Sequence, residues 1–197
     1  MRIYLLVDTS GSMEGAKIGA LNESMSNLVA ELKQISGGTK QIIELSVLSF
    51  GKEAKWMYDH PINVDDFDWT NLSAGGMTPM GKACLALDKE LLSANDQAND
   101  QPLIIILTDG CPTDDYDEGI EALMANSPFK NANKFGIAIG DNADLAALLR
   151  FVENKDQIYV QGNVDELLNT LKDIIGPNKP NAPVTHPINS EDDDEWA

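Results

Sequence analysis

Thiol and imidazole groups are scarce in this chain. Its 197 residues include two cysteines and two histidines, too few for a zinc cage or for the disulfide framework of a small secreted domain. Cys84 falls on an apolar helical face with Met80, Leu87 and Leu91 and reads as core. Cys111, one residue past Gly110, reads as small loop filler, with a redox or metal-ligand role as the alternative. His60 and His186 form no Ser/His/Asp pattern and read as loop residues. Positive charge is scarce as well: 14 Lys and Arg stand against 32 Asp and Glu, for a net charge of −18. That balance argues against nucleic acid or an anionic membrane surface as partner. No apolar run approaches the roughly 18 residues of a membrane span. Met1 stands almost directly before the first strand, leaving no room for a signal peptide, so a cytoplasmic protein with reduced thiols is expected. The first strand-to-helix turn also lacks a glycine-rich phosphate cradle, which excludes a dinucleotide site.

What is present begins at once. Ile3 to Val7 is an unbroken apolar run that suits a strand buried on both faces, and it leads straight into Asp8, Thr9, Ser10, Gly11 and Ser12. Asp8 offers anionic charge and the serine hydroxyls offer neutral oxygen, a donor set for a hard cation such as Mg2+ or Mn2+. The pentapeptide alone has a plainer reading, because Ser, Thr and Asp at a strand end commonly cap the next helix. Two distant segments add to it. Leu103 to Leu107 is a second fully apolar strand, followed by Thr108, Asp109 and Gly110. Between them lies Gly75, Gly76, Met77, Thr78 and Pro79, where Thr78 can serve as N-cap and Pro79 as first helical residue.

Strand and helix alternate along the rest. Ile18, Leu21, Met25, Leu28, Val29 and Leu32 recur at helical spacing, and that helix is expected to end near Gly37 and Gly38. Ile42 to Phe50 and Glu53 to Met57 read as a hairpin whose shorter arm is an antiparallel edge strand. Asp59 to Ser73 reads as a polar loop. Helices are expected from Pro79 to Ser93, Asp114 to Asn126, Ala143 to Val152 and Val164 to Ile175, with strands at Phe135 to Ile139 and Ile158 to Val160. The alternation predicts an α/β domain, a mostly parallel, doubly wound Rossmann-like sheet with helices on both faces. In such sheets ligands sit at the carboxyl ends of strands where the order reverses, which places Asp8 beside Asp109. The domain is expected over residues 1–176. From 177 to 197 the sequence turns to Pro177, Pro180, Pro183 and Pro187 among polar residues and ends in the acidic run Glu191 to Glu195 before Trp196. That stretch reads as a disordered tail, with Trp196 a candidate docking anchor.

With these residues in view, the chain resembles the von Willebrand factor A (vWA) family and its metal-ion-dependent adhesion site (MIDAS). The family pattern of Asp-x-Ser-x-Ser, a distant Thr and a distant Asp is matched by Asp8, Ser10, Ser12, Thr78 and Asp109. The resemblance implies a six-stranded sheet in the order 3-2-1-4-5-6. It also implies Ser10, Ser12 and Thr78 as direct ligands of Mg2+ or Mn2+, with Asp8 and Asp109 acting through water and hydrogen bonds. The implied partner is a protein presenting an Asp or Glu carboxylate, and no catalysis is expected. Leu-Thr-Asp-Gly-Cys-Pro-Thr-Asp from Leu107 narrows the likeness to free-standing bacterial proteins of the TerY type. These are associated with tellurite resistance and stress, with kinase or phosphatase components as suspected partners.

Other readings stay open at this point. Asp8 could be the nucleophile of a Mg2+-dependent aspartyl phosphatase, but that chemistry needs a second acid two residues on, where this chain has Ser10. A structural subunit with a silent metal site is a third reading. Asp114, Asp115, Asp117 and Glu118 read first as helix caps and dipole partners, with Thr113 or Asp114 as the cap. Together with Glu14, Asp65, Asp66 and Asp68 they are also candidates for an acidic rim around the site.

Overall fold

The computed structural model describes residues 1–39, 42–93, 101–140, 142–161 and 167–175. The expected tail at 177–197 and the start of the last helix at 164 lie outside the described residues. Strands are β1 (Arg2–Asp8), β2 (Glu44–Phe50), β3 (Ala54–Trp56), β4 (Ile62–Asn63), β5 (Leu103–Thr108), β6 (Asn133–Ile139) and β7 (Ile158–Gln161). Helices are α1 (Ala16–Thr39), α2 (Met80–Ser93), α3 (Tyr116–Ala125), α4 (Ser127–Asn131), α5 (Leu145–Val152) and α6 (Leu167–Ile175).

The sheet runs β3-β2-β1-β5-β6-β7. β2, β1, β5, β6 and β7 are parallel to one another and β3 is the antiparallel edge. This is the expected order. One strand is added to it: β4, two residues inside the stretch expected to be loop, pairs antiparallel with the start of β2. β1 and β5 form the centre, and their near-complete burial explains the unbroken apolar runs. Alternate residues of β1 point to opposite faces. Ile3, Leu5 and Val7 pack with Leu21, Met25 and Leu28 of α1 and with Leu171 and Ile174 of α6. Tyr4 and Leu6 pack with Cys84 and Leu87 of α2, Ile120 of α3 and Leu148 of α5. Cys84 is thus a core residue whose thiol pKa burial pushes up, while Cys111 is exposed. No described helix is long and apolar enough to cross a membrane.

Several boundaries differ from the expectation for identifiable reasons. α1 continues through Gly37 and Gly38 to Thr39; near that end Ser36 donates to Asp65 Oδ2 at 3.2 Å, a tertiary tie that glycine propensity does not report. The helix expected over 114–126 is two helices. Asp115 caps α3, its carboxylate accepting from the Glu118 amide at 3.1 Å. Asn126 then caps the short α4, which carries a proline in its first turn.

The cap expected of Asp114 or Thr113 on α3 goes elsewhere. Asp114 accepts from the amides of Gly81 and Lys82, both at 2.8 Å, and so caps α2 from a neighbouring segment. Close approach of α2 and α3 makes this possible. A Cβ at Gly119 would lie 2.4 Å from the Gly81 carbonyl oxygen, and one at Gly81 would lie 2.2 Å from that of Asp115. Gly119→Ala should therefore force the helices apart and lower stability by about 1–3 kcal/mol, read from the urea midpoint, with the slope unchanged.

Candidate metal centre

All the candidate residues sit where β1 and β5 end. Val7 pairs with Leu107, so the next residues, Asp8 and Thr108, lie side by side. Asp8 is fully buried and bonded at both oxygens: the Ser10 amide donates to Oδ1 at 2.7 Å, and the Thr108 hydroxyl donates to Oδ2 at 2.6 Å. Both donors are neutral, so burial dominates and raises the Asp8 pKa above the ordinary value of 3.8, with the charge of Asp109 adding to the rise.

Asp109, 1% exposed, is held differently. Ser12 Oγ donates to its Oδ1 at 2.6 Å, and the Lys17 ammonium, from the first turn of α1, lies 2.6 Å from Oδ2. Ser10 Oγ and Ser12 Oγ are 2.9 Å apart. Because the Ser12 proton is directed at Asp109, Ser10 donates to Ser12, and the hydroxyls form a relay toward the carboxylate.

Thr78 arrives on a third loop. Its amide donates to Thr113 Oγ1 at 2.8 Å and its carbonyl accepts from the Thr113 amide at 3.0 Å. Its hydroxyl makes no hydrogen bond to any described residue. A Cβ at Gly110 would lie 3.5 Å from Thr78 Oγ1 and 3.9 Å from Ser12 Oγ, so this glycine leaves space between the two hydroxyls. The loop carrying Thr78 is tied down by backbone bonds: Gly75 N–H to Thr9 O at 2.8 Å and Gly11 N–H to Gly76 O at 3.0 Å. Gly76 has φ 89°, and a Cβ there would meet the Lys52 backbone at 2.7 Å. Further back, Asn22 of α1 straps the same loop by accepting from the Leu72 amide at 2.8 Å and donating to its carbonyl at 2.9 Å.

The structure thus brings Asp8, Ser10, Ser12, Thr78 and Asp109 to one crevice. Among the described residues no group of three or more His, Cys, Asp or Glu could hold a metal ion; the donor set here has two carboxylates and depends on hydroxyls. It fits a hard divalent cation on three observations: every donor is oxygen, the Thr78 hydroxyl is unengaged among the described residues, and Asp109 already draws an ammonium to its carboxylate.

Three residues important to this geometry carry no sequence signal for their part in it. Thr108 reads in the sequence only as the residue that follows the apolar run Leu103 to Leu107. Lys17 is a lone lysine with no spacing signal, and Thr113 reads only as a cap. The expected acidic rim is also smaller. Asn63 and Val64 bond to the start of β2, whereas Asp8 pairs with its end, Phe50. Asp65, Asp66 and Asp68 follow directly, so they lie toward the far end of the sheet, about 20 Å away along a seven-residue strand. Asp114 and Asp115 are spent on caps, and Asp117 pairs with Arg150 at 2.6 Å. Near the mouth stand Glu14 and Lys52, both beside Gly75. Met77, next to Thr78, is 64% exposed.

The family model described as von Willebrand factor type A domain matches residues 3–175. No curated protein sequence matches the chain. Among solved structures, the ArnB paralog VWA2 from Sulfolobus acidocaldarius is 21% identical over 87% of this chain and 44% of that chain, with a TM-score of 0.62. Proximal thread matrix protein 1 from the mussel byssus, solved with a zinc-occupied MIDAS motif, is 15% identical over 88% of this chain and 44% of that chain, at 0.65. The manganese-loaded TRAP protein of Plasmodium vivax is 21% identical over 89% of this chain and 73% of that chain, at 0.62. The chain spans less than half the length of the first two. At these identities the likeness is one of fold.

A carboxyl with a raised folded pKa keeps its proton longer in the folded state than in the unfolded one. Its contribution to stability is then greatest at acid pH and is lost as pH rises through the folded value, above 3.8. In chelator-containing buffer, Asp8→Asn should remove that loss and melt higher than wild type at neutral pH. The difference between the two melting curves across pH measures it.

Proposed function

Because the chain belongs to the von Willebrand factor type A family, we propose that it is a non-enzymatic, metal-dependent protein-interaction module. In this reading one Mg2+ or Mn2+ is held by Ser10, Ser12 and Thr78, with Asp8 and Asp109 in support. The observation that carries the reading is the convergence of three loops on one crevice, with the hydroxyls of Ser10 and Ser12 aligned by Asp109 and that of Thr78 unengaged. When bound, such a cation supplies an electrophilic coordination position that an Asp or Glu carboxylate of a partner can fill. The chain's own residues do the rest. Asp8 and Asp109 fix the loops, and the exposed Met77 beside Thr78 offers an adaptable apolar contact to a partner docking there.

The hydrolase reading is disfavoured by the engagement of Asp8. An aspartyl nucleophile needs an approachable carboxylate oxygen and a nearby acid. Here both oxygens accept hydrogen bonds inside a fully buried side chain, and position 10 is serine. We place the protein in the cytoplasm, among bacterial vWA proteins of the TerY type. The partner is then a carboxylate-presenting component of a stress or tellurite-resistance system that includes kinase or phosphatase proteins. The partner's surroundings are left less constrained than an acidic rim would make them, since Lys17 and Lys52 flank the mouth together with Glu14.

Calorimetric titration with Mg2+ or Mn2+ should give one site in wild type, weakened about 10- to 100-fold in Asp8→Ala. Equal binding by both proteins would overturn the site assignment. A partner captured from native cytosol in Mg2+ should be lost in EDTA and with Thr78→Ala, while thermal unfolding in EDTA shows the fold intact in both proteins. Capture that survives both treatments would favour the structural-subunit reading. Phosphoester hydrolysis abolished by Asp8→Asn would reopen the enzyme reading.

A further inference from the structure

The two buried carboxylates of the centre are compensated in opposite ways. Asp8 accepts from neutral donors alone, the Ser10 amide and the Thr108 hydroxyl. Asp109 carries an ammonium: Lys17 Nζ lies 2.6 Å from Oδ2, with the lysine side chain 38% exposed and that of Asp109 fully buried. Helix energetics do not explain a lysine at this place. It is the second residue of α1, where the macrodipole disfavours a cation. Nor is it needed to satisfy Asp109 sterically, since Ser12 already anchors Oδ1 at 2.6 Å. What Lys17 changes is the charge of the centre. Two carboxylates and one ammonium leave it at −1, where the carboxylates alone would leave −2. With a divalent cation the centre becomes +1 with Lys17 and neutral without it.

Resting on the metal-binding reading above, we propose that Lys17 is a specificity-determining residue, a built-in counter-ion that couples metal binding to carboxylate binding. By sharing Asp109 it weakens retention of the divalent cation by the chain alone. By leaving the loaded centre with a net positive charge it favours an anionic partner, and the incoming carboxylate restores neutrality beside two carboxylates that are both buried. Coupling of this kind is reciprocal: whatever factor the metal adds to carboxylate affinity, the carboxylate adds to metal affinity. The centre then releases its metal readily when no partner is present and holds it when one is.

The test uses Mn2+ with acetate as the carboxylate probe, on the full chain. Free and bound Mn2+ are distinguished by electron paramagnetic resonance, at constant ionic strength in chloride or acetate and corrected for Mn2+–acetate association in solution. Wild type should bind Mn2+ at least about five-fold tighter in acetate than in chloride. Lys17→Met should bind Mn2+ about ten-fold or more tighter in chloride, the factor by which a neighbouring opposite charge commonly shifts a carboxylate's proton affinity, and should lose most of the acetate effect. Lys17→Arg, which keeps the charge, should behave as wild type. Lys17→Gln serves as a second neutral variant if Met alters the melting temperature. Neutral variants that bind Mn2+ no tighter than wild type, or that keep the full acetate effect, would overturn the inference while leaving the metal site standing. Absence of Mn2+ binding in wild type would overturn the site itself, and this inference with it.

Discussion

A carboxylate buried at the end of the central strand has to be satisfied without water, and much of the site follows from how Asp8 meets that constraint. Burying an unpaired carboxylate is costly enough that the chain must bring donors to it. The backbone supplies one by turning sharply after β1, which aims the Ser10 amide back at the carboxylate. The neighbouring strand supplies the other, since the parallel register of β1 and β5 places Thr108 alongside. The turn that satisfies Asp8 also presents Ser12 to Asp109 and sets Ser10 against Ser12. A single electrostatic requirement thereby shapes the loop that carries most of the candidate ligands.

The third loop is held by groups that lie outside the site. Asn22 pins its middle to α1, the backbone of Thr9 and Gly11 pins its glycines, and Thr113 pins Thr78 itself. Asp114 adds a charge-assisted cap on the helix that begins just after Thr78. Each tie joins segments far apart in sequence, so the crevice is shaped by the packed fold. A site of neutral hydroxyls needs this rigidity more than one built from many carboxylates, because it offers a cation less Coulombic attraction.

The sheet and the five candidate residues were legible because their signals are local. Strands buried on both faces read as continuous apolar runs, and β1 and β5 each end in a short polar segment. What escaped depends on distance. Asp114 reads as the cap of the helix that follows it, yet the amides it accepts from are at positions 81 and 82. Asp65, Asp66 and Asp68 are close to Thr78 along the chain, but their segment starts at the amino end of β2 and the loop then crosses the molecule. α4 was hidden because a five-residue helix shows no period and is announced only by Asn126 and Pro128. Lys17 carries no pattern at all; its meaning appears only when Asp109 folds onto it.

The bonds that complete the centre join residues 8 and 108, 12 and 109, and 17 and 109. β1 lies in the middle of the sheet yet is made before the other described strands, and its partner on one side is separated from it by about half the chain. At synthesis rates of about 5–20 residues per second, roughly 5–20 seconds pass between translation of Asp8 and of its last companions. During that interval the Asp-Thr-Ser-Gly-Ser segment has no neighbouring strand on one edge and no ammonium-bound carboxylate to order its hydroxyls. A nascent chain therefore presents the residues without the centre. Any factor that recognises the assembled crevice will distinguish finished molecules from partly made ones, since the crevice forms only after the two halves of the sheet have met.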